Sequence, residues 1–284
     1  MSGLFRKARN SAVPGFGLSF GFTLVYLSLI VLIPLCALVF QSTTMGWEHF
    51  YRSAASPRLL ASYRVTVGTA FAAASINTFA GLLIGWVLAR YRFPGRRVVD
   101  ALVDLPFALP TAVAGVALVS LYVRSGWIGQ FLEPRGIRVA FTPIGITLAM
   151  AFVGLPFVVR SVQPVIEDLD QELEEAARSL GATSWQAFSR VIFPSISPAL
   201  LTGAGLAFAR ALGEYGSVIF IAGNMPMKTE ITALLIVAKL EEFDYAGATA
   251  VATVLLLASF GMVLALNVIQ ARARNFQEVG ITKG

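Results

Sequence analysis

Two ionisable residues stand inside a glycine-rich apolar run, "RALGEYGSVIFIAGN" (210–224). Arg210 and Glu214 are four residues apart, so a helix places them on one face. Arg210 lies about a dozen residues past Pro198, roughly 18 Å along a helix, near the middle of a bilayer. A charge at that depth costs at least a few kcal/mol against lipid, so the pair must face protein or a wet cavity. Two chemistries fit. The residues neutralise each other, or pair with a second subunit, as a structural ion pair. Alternatively, Arg210 lends positive potential to a path for a dianion. Glu214 weighs against a naked anion site, since its charge cancels that attraction. Elsewhere the chemistry is sparse. His49 is the only histidine, and without a Cys or carboxylate at ligand spacing it reads as a solvated loop residue, with no metal site. No G-x-x-x-x-G-K-[ST] phosphate loop and no His, Cys or carboxylate cluster of catalytic type occurs in the apolar runs, so neither an enzyme nor a cofactor is expected.

The elements that position Arg210 and Glu214 are membrane helices. The chain has 284 residues, 56% hydrophobic and 13% charged, with a mean hydropathy of +0.73. Charge-poor runs predict six spans, near 16–40, 63–89, 105–123, 141–159, 197–222 and 245–270. The fifth carries Gly203, Gly205, Gly213 and Gly216 beside the ion pair and reads as broken or kinked. Pro106 and Pro110 open the third span, and Pro156 interrupts the fourth. Small residues four apart (Gly205, Ala209 and Gly213; Ala246 and Ala250) suit close helix packing.

Lys and Arg concentrate on one side. Arg6, Lys7, Arg9, the cluster "RYRFPGRR" (90–97), Arg160, Arg178, Arg190, Arg272, Arg274 and Lys283 all fall on the side of the N-terminus. By the positive-inside rule both termini are cytoplasmic. The net charge of +6 is therefore a topology signal, and with no soluble basic domain nucleic acid is not a partner. The start of the chain reads as a retained span, its charge-free interval from Asn10 to Trp47 being too long for a signal peptide. Cys36, the one cysteine, excludes an intrachain disulfide and reads as a buried, inert thiol.

One polar stretch interrupts this pattern on the cytoplasmic side, "EEAARSLGATSWQAFSRVIFPSISPAL" (174–200). Leu169, Leu173, Ala176 and Leu180 fall at i, i+4, i+7 and i+11 and make one apolar stripe, with Glu172, Glu175 and Arg178 off it. Gly181 supplies a left-handed helix end. Thr183 with Gln186 is a capping-box pattern that starts a second helix, in which Trp185, Phe188 and Ile192 share a face. Pro194 and Pro198 mark the re-entry to the membrane. Such a unit either rests on lipid headgroups or offers aromatic anchors and a charged rim to a cytoplasmic partner.

The stretch "EAARSLGATSWQAFSRVIFP" (175–194) resembles the EAA loop of ABC importer permeases, Glu-Ala-Ala, three residues, Gly, nine residues, Ile, one residue, Leu-Pro. Glu175, Ala176, Ala177, Gly181 and Pro194 match in register, and Val191 and Phe193 replace the Ile and Leu. The resemblance implies an all-α membrane protein with the type I permease fold and six transmembrane helices. It divides the chain into residues 1–60 (N-terminus, first span and outer loop), a transmembrane domain over 61–271 with the coupling loop at 160–198, and a tail from 272. It also implies that Glu175, Ala176, Ala177, Gly181, Trp185, Phe188 and Pro194 couple to an ATP-binding subunit, and that this chain hydrolyses nothing itself.

Further stretches, "RYRFPGRRVVDALVDLPFALPTAVAG" (90–115), the 210–224 run and "EFDYAGATA" (242–250), resemble sulfate/thiosulfate permeases of the CysT type. Molybdate permeases share the Arg-x-Leu-Gly-Glu-aromatic-Gly piece. The implied partners are two ATP-binding subunits, a second related permease subunit, an extracytoplasmic sulfate-binding protein and the lipid bilayer of the bacterial inner membrane. An ion-coupled secondary transporter using Glu214 as proton carrier is the competing class; it gives no reason for the cytoplasmic loop. The outer segment 229–245 reads as an interfacial helix against the binding protein, or as one packed on the chain's own spans.

Overall fold

A computed structural model describes residues 16–281, entirely as helices and loops. The expectations for residues 1–15 and 282–284 lie outside the described residues. Among the described residues five helices are long and apolar enough to cross a membrane: α1 (Gly17–Thr44) and, further along, Pro57–Arg90, Pro143–Glu167, Ser184–Leu212 and Tyr245–Ala265. A bent pair makes a sixth span if it counts as one.

Helix α1 passes through a π turn at Ser28–Leu32, and none of its most apolar window is buried within the chain. Cys36 is consequently exposed rather than buried: the C-terminal half of α1 meets the last long helix and buries Ser42, but most of its apolar surface, Cys36 included, must be covered by lipid or another subunit. The short helix α2 (Trp47–Ala54) carries His49. Helix α3 (Pro57–Arg90) starts at a Ser56 cap followed by Pro57, six residues before the start read from hydropathy.

The third span departs most from expectation. It begins at Arg96, not 105, and comprises α4 (Arg96–Ala108) and α5 (Thr111–Tyr122), bent by 113°. Leu109 is extended (φ −83°, ψ 134°), as a residue before proline prefers, and Pro110 starts the next helix. Pro106 stays inside α4. Helix α6 (Pro143–Glu167) runs without interruption through Pro156 and Pro164; neighbouring helices bury Pro156 and hold the helix there, while Pro164, in the last turn, is exposed.

Helix α7 (Gln171–Ser179) and α8 (Ser184–Leu212) enclose the polar cytoplasmic turn. The expected second short helix is the start of α8, not a separate element. A π turn at Phe188–Ile192 comes just before Pro194, with Phe193 N donating to Phe188 O. It absorbs the donor that Pro194 lacks, so the helix enters the membrane unbroken. Helix α8 ends at Leu212, and Gly213–Ser217 connects to a single helical turn at Val218–Ile221. The fifth span is therefore broken beside the ion pair. Helix α9 (Thr232–Glu241) buries Leu234 and Leu235 against the chain's own spans, as the second reading of the outer segment has it, and leaves Leu240 and, past its end, Phe243 exposed. Helix α10 (Tyr245–Ile281) closes the fold and extends beyond the apolar run.

The core is the packing of α3, α6 and α8. A Cβ on Gly203 would lie 2.8 Å from Val158 Cα, and one on Gly81 would lie 2.7 Å from Val158 Cβ. Glycine on both flanking helices lets them close on α6. The expected stripe of Gly205, Ala209 and Gly213 does not do this throughout: Gly213 is exposed, and a Cβ there meets nothing within 4 Å. By position 213 α8 has already ended, so helical spacing no longer governs its neighbours.

Candidate functional site

Two places hold the residues singled out from sequence. At the cytoplasmic end, Asp170 caps α7 by accepting from Glu172 N at 3.0 Å. Leu180 N and Ala182 N donate back to Ala176 O and Ala177 O, and Gly181 sits at φ +83° with open space around its Cβ position. Thr183 then caps α8: Gln186 N donates to its hydroxyl at 3.3 Å, and Thr183 N donates to Gln186 Oε1 at 2.9 Å. The turn is built by local hydrogen bonds that its own sequence specifies.

This turn projects from the bundle. Leu173, Glu175, Ala176, Gly181 and Trp185 are exposed, Leu180 to 90%. A groove of about 290 Å³ between Ala177, Leu180, Gln186 and Arg190 runs across it. An apolar rim this open, beside a Glu175 that has no ion pair among the described residues, has the make-up of a protein contact surface. Phe188 behaves differently. It stacks on Trp185 at 5.8 Å between centroids and also meets Trp86 of α3 edge-on at 5.8 Å. Arg90 caps Trp86 from 5.6 Å and pairs with Glu174 at 3.4 Å. Trp185, Phe188 and Ile192 thus do not share one environment: Trp185 is exposed, Phe188 joins the turn to α3, and Ile192 is buried. Pro194 is exposed at the end of the π turn.

Inside the membrane, Arg210 Nη1 lies 2.5 Å from Glu214 Oε2. Glu214 is buried to 1% exposure, and its Oε1 also accepts from Ser217 N at 3.0 Å and Ser217 Oγ at 2.9 Å. The acid therefore has both oxygens engaged, and it fastens the broken connection of the fifth span to the end of α8. About a third of the Arg210 side chain remains accessible.

Sequence reading missed a charged knot near the cytoplasmic end of α6. Arg160 donates to Asp104 at 2.8 and 2.6 Å, to Asp100 at 2.7 Å and to Gln163 at 2.8 Å. Asp100 and Asp104 are four apart on α4, which was a legible signal; that Arg160 completes them was not. On the opposite face Arg58 holds buried Glu230 through two hydrogen bonds. There Asp244 accepts from Lys239 at 2.7 Å and Gly247 N at 2.8 Å, and these contacts hold its carboxyl below the usual range, the Lys239 hydrogen bond contributing most. Among the described residues no group of three His, Cys, Asp or Glu could hold a metal.

Residues 81–275 match the family of binding-protein-dependent transport system inner membrane components. The chain belongs to this family. As an inner membrane component of a binding-protein-dependent ABC transporter it is a permease rather than a catalyst, and it works with an ATPase and a binding protein. Among its relatives, the sulfate transport system permease protein CysT of Escherichia coli is 50% identical over 95% of this chain and 97% of its own. The protein of that name from Synechocystis is 48% identical over 89% of each. The fold is also that of solved ABC importers. A bacterial alginate importer matches with a TM-score of 0.73 at 19% identity, over 91% of this chain and 96% of that one. A methionine ABC transporter in an inward-facing conformation matches at 0.56 and 18%, over 76% and 95%.

Proposed function

We propose that this chain is the permease subunit of an ATP-driven sulfate importer, translocating sulfate and thiosulfate across the inner membrane. The observation that carries the cargo is the near-complete alignment, at 50% identity, with a permease named for sulfate transport. The complex contains a second related permease subunit, two copies of the ATP-binding subunit and an extracytoplasmic sulfate-binding protein.

In this reading the exposed turn Glu175–Trp185 seats in the ATP-binding subunit, with Ala176, Ala177 and Gly181 allowing close approach. Movement of the seated turn reaches the spans by two routes that need no flexible linker. Phe188 presses edge-on against Trp86, and Glu174 pulls on Arg90, so both act on the cytoplasmic end of α3. Pro194 and the π turn before it form the point where α8 can flex. Glu214 is a structural acid here. Its role is to fix the Gly213–Ser217 connection, while the accessible side of Arg210 adds positive potential near the route of the dianion.

The test is uptake of labelled sulfate into vesicles containing the reconstituted complex, with and without ATP, in competition with thiosulfate and with molybdate. ATP-dependent uptake blocked by thiosulfate and little by molybdate supports the proposal. Uptake of molybdate alone keeps the mechanism and replaces the cargo; uptake driven by an ion gradient without ATP removes both.

A further inference from the structure

The turn between α3 and α4 gathers four guanidinium groups, on Arg90, Arg92, Arg96 and Arg97. Two adjoining cavities share Arg92 and Arg96. One, of about 400 Å³, also exposes Arg90 and Glu167; the other, of about 520 Å³, adds Arg97 and Asp100. The carboxylates near them are already engaged. Glu167 Oε1 accepts from Arg96 at 3.2 Å and from Gln163 at 3.1 Å, Asp100 accepts from Arg160 at 2.7 Å, and Glu174 from Arg90 at 3.4 Å. Arg92 and Arg97 form no ion pair with any of the described residues. Arg90 Nε is buried without a hydrogen-bond partner, on a side chain that lines the first cavity.

The backbone adds to the excess of positive charge. Helix α4 starts at Gly95, with no side-chain cap and no acid in its first turn. Its first two residues are Arg96 and Arg97, so two cations sit at the positive end of a helix dipole. A protein normally avoids this arrangement, and an oxyanion relieves every part of it at once. Its position says which kind. The turn shares its end of the molecule with the α7–α8 turn, through the Arg90–Glu174 pair, and so lies at the cytoplasmic interface. Tyr91 is exposed beside it, and α4 continues from the arginines into exposed Val98, Leu102 and Leu105. Cationic donors set directly above bare apolar surface at a leaflet boundary match a lipid, with head and tail in contact together.

We infer that the turn Arg90–Arg97 binds the phosphate of an acidic phospholipid headgroup, with Arg92 and Arg97 as principal donors and an acyl chain lying on the Val98–Leu102 face of α4. The site is separate from cargo translocation and does not depend on which anion is carried.

The experiment uses the complete purified transporter. Retained lipid is read by native mass spectrometry, and thermal stability is followed while phosphatidylglycerol, phosphatidylcholine, inorganic phosphate and inorganic sulfate are titrated separately. The wild-type complex should retain phosphatidylglycerol and be stabilised by it alone. Replacing Arg92→Gln and Arg97→Gln together should weaken that binding about fivefold for each guanidinium removed. The Arg92→Lys/Arg97→Lys pair keeps the charge that sets topology and should lose less, which separates binding from faulty insertion. Equal stabilisation by inorganic phosphate or sulfate would assign the site to a solution oxyanion and overturn the lipid assignment. Unchanged retention in the Gln variant would overturn it too. Loss of the ATP-binding subunit from that variant, with lipid content unaltered, would give these arginines to the protein partner instead.

Discussion

Arg210 and Glu214 form an ion pair of unequal partners: the acid is sealed in the protein and holds Ser217 as well, while the base keeps a third of its side chain accessible. The loss of either partner should therefore not be equivalent. Arg210→Ala leaves a buried carboxylate without its counter-charge, a change worth about 3–5 kcal/mol. The Arg210→Ala/Glu214→Gln double variant keeps an acceptor for Ser217 without the charge and should recover much of that loss. Thermal melting and yield of the purified complex measure both. If the double variant is stable yet transports no sulfate, Arg210 has a direct role in the path; if it transports, the pair is structural.

Gly181 stands at φ +83°, in a region closed to β-branched residues, although nothing crowds the Cβ position. Gly181→Val should cost about 1–2 kcal/mol in the turn alone. It should lower ATP-dependent uptake severalfold while leaving the permease inserted and folded. Gly181→Asn, which tolerates this conformation, should retain most activity. Transport by the Val variant at the wild-type rate would show that the turn does no coupling.

Neighbouring aromatic residues should separate docking from folding. Trp185 is exposed and touches mainly Phe188, so Trp185→Ala should change stability by no more than about 0.5 kcal/mol. As a central anchor, it should still weaken capture of the ATP-binding subunit tenfold or more. Phe188→Ala removes the ring that meets Trp86 and should destabilise the permease by about 3 kcal/mol. Co-purification of the two subunits, alongside melting of the permease, reads the two effects independently.

Asp244 caps α10 from outside the membrane, and its carboxyl is held below the usual range chiefly by Lys239 and then by Gly247 N. A depressed native value means its contribution is fully present above the unfolded value of about 3.9 and fades as pH falls through the native one. Asp244→Ala should cost about 1 kcal/mol near neutral pH, as loss of a helix cap does. The gap in melting temperature between the variant and wild type should narrow below about pH 4. A gap that stays constant down to pH 3 would remove the charge from this account.

What could be read from sequence was what neighbours along the chain decide. The helix end at Gly181 and the Thr183–Gln186 box depend on a few consecutive residues, and so does the Arg210–Glu214 pair, which forms although α8 ends at Leu212 between its two partners. Spans follow from hydropathy, since an apolar run of sufficient length has one low-energy place. Pro110 could also be seen, but not that it would turn the third span by 113°, because whether a proline bends a helix depends on what packs around it. Hydropathy says nothing about which spans meet, because lipid and neighbouring helices are equally apolar partners. Only the tertiary structure could therefore bring Arg160 to Asp104 across 56 residues, Arg90 to Glu174 across 84 and Arg58 to Glu230 across 172. It likewise set Phe188 against Trp86 while leaving Trp185 outside, and it left Arg92 and Arg97 without a carboxylate among the described residues.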